Sequence, residues 1–196
     1  MKYELQSTAI FNKWFANVDA INKRRILARF ARIENGHFGD FKQIDTQLFE
    51  LRFFFGGGLR IYYTLRNQQV VLLLVGGDKT SQNADINHAK QLLKQQESSS
   101  MTIETSSFDI AEHLQTDADI QGFLKEIAET GDSSDFLHAL NIAARAKGMA
   151  DIAKQIGVSR ASLDKSLSEN GNPRFDTVAK VCQALGVKLY VDAAPL

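Results

Sequence analysis

Arg52, Arg60, Tyr62 and Lys79 are the side chains best suited to chemistry, and all lie in one stretch, LFELRFFFGGGLRIYYTLRNQQVVLLLVGGDK, from Leu48 to Lys79. A guanidinium presents a planar fork that holds phosphate oxygens two at a time. A phenol can hydrogen-bond to a base or stack on it. A lysine can give or take a proton once burial lowers its pKa, and Asp78 is next to Lys79 to orient it. Cations set among aromatic rings on one surface suit a polyanion.

Strands must position these groups. Residues 50–55 and 59–64 are β-branched, aromatic or large and apolar, which suits a pleated, half-buried surface. Gly56, Gly57 and Gly58 give the first turn its freedom, and Arg66, Asn67 and Gln68 make the second. Alternation puts Leu51, Phe53, Phe55, Leu59, Ile61 and Tyr63 on one face. Arg52, Phe54, Arg60, Tyr62 and Thr64 fall on the other, the expected open face. Residues 70–75 are apolar throughout, the pattern of a central strand covered on both sides.

The 196 residues suffice for one large domain or two small ones, and 44% apolar with 23% charged is an ordinary globular balance. A net charge of +0 conceals an asymmetry: residues 1–100 hold 14 Lys/Arg against 9 Asp/Glu, and residues 101–196 hold 9 against 14. A basic half aimed at nucleic acid and restrained by an acidic half is the reading. The lone Cys182 excludes an internal disulfide and fits a reducing compartment as a buried small hydrophobe. The opening MKYELQ has no apolar signal core, and no apolar run is long enough for a bilayer. A cytoplasmic protein with no membrane partner is expected.

A first strand is expected at residues 2–5. Ser7 or Thr8 then caps a helix carrying Ile10, Phe11, Trp14 and Phe15, with Trp14 as a core anchor. Asp19 opens a second helix closed by Gly36. Its inner side is Ile26, Leu27, Phe30, Ala31 and Ile33; its outer side is Lys23, Arg24, Arg25, Arg29 and Arg32. Residues 41–44 suit another strand, and SQNADINHAKQLLKQQ suits a helix with Ile86, Ala89, Leu92 and Leu93 inward. His88 on that helix reads as surface decoration. The run ELRFFFGGGLRIYYT…VVLLLVGGDKTSQNADINHAK, with LR-x(7)-RIYY and GGDK-x-x-Q-x-x-DI, resembles the HigB-like, phage-derived branch of the RelE/ParE toxin superfamily over residues 1–97. The resemblance implies a RelE-like α+β domain, helices on a small antiparallel sheet, and a ribosome-associated endoribonuclease that cuts mRNA.

Residues 98–107 form a serine-rich linker, with Met101 where a second reading frame would start. Residues 108–196 read as an all-α domain with a short C-terminal strand. Residues 108–114 and 120–128 are short acidic helices, and residues 136–147 a longer one ending at Gly148. In MADIAKQIGVSRASLDKSL, Ala153 allows a close crossing, Gly157 takes the turn over a tucked Val158, Ser159 caps and Leu163 packs back. That is the spacing of a helix-turn-helix at about residues 149–167. Residues 104–193 resemble the antidote proteins encoded beside HigB-like toxins, which carry a lambda-repressor-like domain. The chain is thus expected to be a toxin fused to its antitoxin.

The expected chemistry divides among these residues. Metal-free RNA cleavage needs a 2′-OH deprotonated, a phosphate shielded and a 5′ oxygen protonated. Arg52 and Arg60 would shield, Tyr62 would bind a base, and Lys79 would move protons. No residue set has metal-ligand or phosphate-loop spacing, so no metal or cofactor is expected. Ser159, Arg160, Ser162 and Lys165 would meet operator DNA, with Asp164 standing where relatives carry Tyr. Expected partners are mRNA and ribosome, operator DNA, the toxin–antitoxin contact in cis or between chains, and a second copy in a homodimer. Two alternatives stand: a non-enzymatic DNA-binding regulator with a degenerate toxin domain, and a ParE-like gyrase inhibitor.

Overall fold

Side-chain caps set the helix starts. In the computed structural model, which describes residues 2–98, 104–130 and 132–190, Thr8 accepts from the Phe11 amide at 3.0 Å and starts α1 (Ala9–Ala16). Asp19 accepts from the Ile21 and Asn22 amides and starts α2 (Ala20–Glu34). The chain divides into two compact units, Met1–Asp109 and Ile110–Leu196. The fold is mixed α+β.

The first unit carries a six-stranded sheet in the order β2-β3-β4-β5-β1-β6. Its strands are β1 (Glu4–Thr8), β2 (Phe41–Gln43), β3 (Phe49–Arg52), β4 (Arg60–Arg66), β5 (Val70–Gly77) and β6 (Thr105–Ser107). β1 runs parallel to β5 and the other pairs are antiparallel, so the sheet is mixed rather than antiparallel throughout. Asn67 and Gln68, both at positive φ, turn β4 into β5. β5 is apolar on both faces because helices cover both. On one face Phe11 stacks on Phe15 within α1 and meets Phe30 of α2. On the other, Tyr62, Leu72 and Leu74 pack under Ala89 and Leu92 of α3 (Gln82–Ser98). Two glycines let the helices close in: a Cβ on Gly76 would lie 2.1 Å from Trp14 Cε3, and one on Gly77 1.9 Å from Asp85 Oδ2. Consecutive residues face opposite sides, so each glycine admits one layer.

The second unit is helical. The Ile110–His113 turn precedes α4 (Asp117–Ala128), which opens on a Thr116–Asp119 capping box. Asp132 caps α5 (Ser133–Lys147), and Gly148 separates it from α6 (Met149–Ile156). Gly157, at φ 78, ends α6, and Ser159 accepts from the Ser162 amide to start α7 (Arg160–Ser166). The last described helix is α8 (Phe175–Ala184). Ile120, Phe123, Leu140, Ile152, Leu163 and Val181 share the buried interior, with Cys182 beside them.

Several expectations are corrected. β3 ends at Arg52 rather than at Phe55: the Phe53 amide still donates to Leu59 O at 3.0 Å, and the chain then turns into the glycine loop. Residues 105–107, polar enough to read as linker, are an edge strand. Phe108 belongs to the first unit's aromatic interior rather than to a helix. Val158 is 37% exposed, not tucked under the turn. Residues 187–190 form no strand; Met101 and the end of the expected C-terminal strand lie outside the described residues.

Candidate functional site

Arg52 and Arg60 sit directly opposite each other on β3 and β4, two register positions from the Glu50–Tyr62 pair, with Leu51 and Ile61 between. Opposed residues of an antiparallel pair project to the same side, so all four share a face. The face is only partly open. Tyr62 is fully buried beneath α3, which corrects its expected place on an exposed surface. Alternation names the face a side chain takes; it does not say whether a later helix covers that face.

What α3 covers is a polar network. Glu50, 1% exposed, accepts from the Tyr62 hydroxyl at 3.1 Å and from Gln82 Nε2 at 2.8 Å. Arg60 Nε stands 3.8 Å from the same carboxylate oxygen, while Nη1 faces the carbonyls of Phe53, Gly58 and Leu59 at 3.0–3.1 Å. Arg60 therefore ties the glycine loop to β4. Burial and the Glu50 charge push the Tyr62 hydroxyl far above the ordinary phenol range, so it stays a donor. Arg52, with its side chain 37% exposed, pairs with Asp40 through Nε at 2.9 Å and Nη2 at 2.6 Å.

Lys79 enters from the loop before α3. A Cβ built on Gly58 would lie 3.5 Å from Lys79 Cβ and 3.7 Å from Arg60 Nη1, so lysine and arginine converge on that glycine. Asp78 does not orient Lys79. Its Oδ1 accepts from the Thr80 hydroxyl at 2.5 Å and amide at 2.7 Å, and these bonds hold its carboxyl below its usual range. Phe54, placed on the open face by alternation but given no role in the expected site, is 82% exposed in the loop after β3. The peptide carbonyl before it is one of the three that Arg60 Nη1 faces. His88 is exposed on α3. The basic side of α2 is not simply solvated: Arg25 lies over the Phe55 ring, Arg29 over Phe53 and Lys23 over Phe15.

In the second unit Ser159 is a helix cap, and Arg160, Ser162 and Lys165 lie on the exposed side of α7. Asp164 draws Arg160 Nε to 3.5 Å.

Residues 13–94 match the family described as phage derived protein Gp49-like, and residues 104–193 match the family described as probable addiction module antidote protein. Each match covers a little under half of the chain, and together they support a toxin–antitoxin module, with an antidote half and a Gp49-like half that imply a toxin–antitoxin contact. Two Haemophilus influenzae relatives are each described as an uncharacterized protein. One is 44% identical over 91 residues, 46% of this chain and 94% of its own length. The other is 38% identical over 96 residues, 48% of this chain and 97% of its own length. No solved structure matches. Among the described residues no helix is long and apolar enough to cross a membrane.

Proposed function

We propose that the Gp49-like half is a HigB-like, metal-independent and ribosome-dependent mRNA endoribonuclease, and that the antidote half is its HigA-like inhibitor and repressor. One observation supports the first claim above others: Arg52 and Arg60 share a face, and Lys79 and Arg60 both flank Gly58 of the loop that also carries the exposed Phe54. On this reading Arg52 leaves Asp40 for a phosphate oxygen, Arg60 shields the developing charge, Lys79 handles the proton and Phe54 stacks on a base. Tyr62, out of reach of RNA, holds Glu50 and so keeps Arg60 in position. In the antidote half, α6, the Gly157 turn and α7 act as a helix-turn-helix, with Arg160 and Ser162 toward bases and Lys165 toward phosphate. The module works in the cytoplasm, with the repressing form a homodimer.

Expression of residues 1–109, which retains β6 and Phe108, tests the nuclease. Growth arrest with cleaved messages is expected, relieved by Arg52→Ala. Normal growth with soluble protein would count against it. The non-enzymatic regulator has its own observation in favour: Arg60 and Arg52 already have protein partners. Soluble residues 1–109 that leave growth unimpaired would favour that reading, and broken DNA with intact messages would point to gyrase.

A further inference from the structure

The match to the antidote family begins at residue 104, yet residues 104–109 are built into the other unit. β6 lies antiparallel on β1, with Gln6 opposite Ser107, Ser7 opposite Ser106 and Thr8 opposite Thr105. The Phe108 amide extends the ladder by donating to Leu5 O at 2.9 Å. Its ring, 4% exposed, stands edge-on to Phe11, Phe15 and Phe30, with centroids 5.8, 5.5 and 5.4 Å away. Take this segment away and β1 becomes an open edge beside an aromatic hollow, a surface that pairs readily with an extended chain.

We infer that the β1 edge and the Phe11–Phe15–Phe30 hollow are a docking site for an extended antidote segment of the 105–108 type, which holds toxin and antidote together when they are separate chains. Main-chain bonds fix the strand and the Phe108 ring anchors it. Both Haemophilus influenzae relatives are short proteins that match about half of this chain over nearly their whole length. Wherever the two halves are separate chains, this contact has to form between molecules. The site also stands apart from the arginine face: β5 separates β1 and β6 from β4 and β3. The strand therefore retains the antidote without itself covering Arg52 or Arg60.

The test uses the full chain with a protease site inserted within residues 99–103, cut under native conditions and run on size exclusion at low micromolar concentration. The cut wild-type chain should elute as one species. Phe108→Ala, which empties the hollow, should weaken retention at least about 100-fold and let the pieces separate. Ser106 is exposed and faces Ser7 in a hydrogen-bonded pair by alternation from Phe108, so Ser106→Pro removes a ladder donor and should weaken it about tenfold or more. If Phe108→Ala does not fold, Ser106→Pro carries the test. Separation of the cut wild-type pieces, or continued co-elution of the Ser106→Pro pieces at wild-type strength, would overturn the inference. Elution does not depend on RNA cleavage, so failure here is distinct from failure of the nuclease reading.

Discussion

Glu50→Leu is the sharpest probe of the arginine face, because it removes one buried carboxylate on which three neighbours depend. The Tyr62 hydroxyl, fully buried, would lose its acceptor at 3.1 Å. An unsatisfied buried hydroxyl costs about 1–3 kcal/mol. Arg60, its side chain 12% exposed, would lose the charge 3.8 Å away. Coulomb attraction at that separation comes to about 4 kcal/mol at an effective dielectric near 20, and relief of the carboxylate's own desolvation offsets most of it. A net loss of about 3 kcal/mol is expected. Glu50→Gln keeps an acceptor for Tyr62 and should lose about 1 kcal/mol. The assay is urea unfolding followed by fluorescence, since Trp14 is the chain's one tryptophan and lies in the first unit. A neutral or stabilising Glu50→Leu would refute the claim that this carboxylate holds Arg60 and Tyr62.

Single sites elsewhere carry their own expected outcomes. Gly76→Ala places a Cβ 2.1 Å from the Trp14 ring, so it should lower the melting temperature of the first unit and shift Trp14 emission. Burial pushes the Cys182 thiol up to about 11, so at pH 8 only about one molecule in a thousand carries a thiolate; a maleimide or disulfide reagent should label it slowly until the chain unfolds. Asp78 is lowered from its ordinary 3.8 by the Thr80 hydroxyl, so its hold on the loop before α3 is complete above that value and fades as pH falls through the lower folded one. Amide exchange at Thr80 and Ser81 should rise over that window in the wild type and not in Asp78→Asn. Asp164→Ala frees Arg160 from its 3.5 Å pairing, and should tighten operator binding severalfold and steepen its salt dependence by about one ion.

The Asp19 cap, the existence of strands on both sides of Gly56–Gly58 and the all-apolar β5 were legible because each is fixed by neighbours in sequence, while the first cap was narrowed only to Ser7 or Thr8. The shared face of Arg52 and Arg60 was legible for the same reason: alternation on each arm, joined by one turn, fixes it. The cover over Tyr62 was not, since α3 arrives from further along the chain and its apolar stripe does not say which face it takes. Phe54 and Phe55 looked like a continuing strand; alternation put Phe54 on the open face, but the early end of β3 places it in a loop instead. β6 offered no apolar pattern because an edge strand of threonine and serine has little to bury. Phe108 looked like the start of a helix because the rings that enclose it lie in α1 and α2, far away in sequence.

The parallel pairing of β1 with β5 governs the order in which the chain can assemble as it is synthesised. β1 is made first but must wait for residues 70–77 before it finds a neighbour. The edge strand from the antidote side then arrives, from Gly77 to Thr105, within a few seconds at about 5–20 residues per second. A ribosome translating this message thus never finishes the first sheet without delivering its seal moments later, at one copy each.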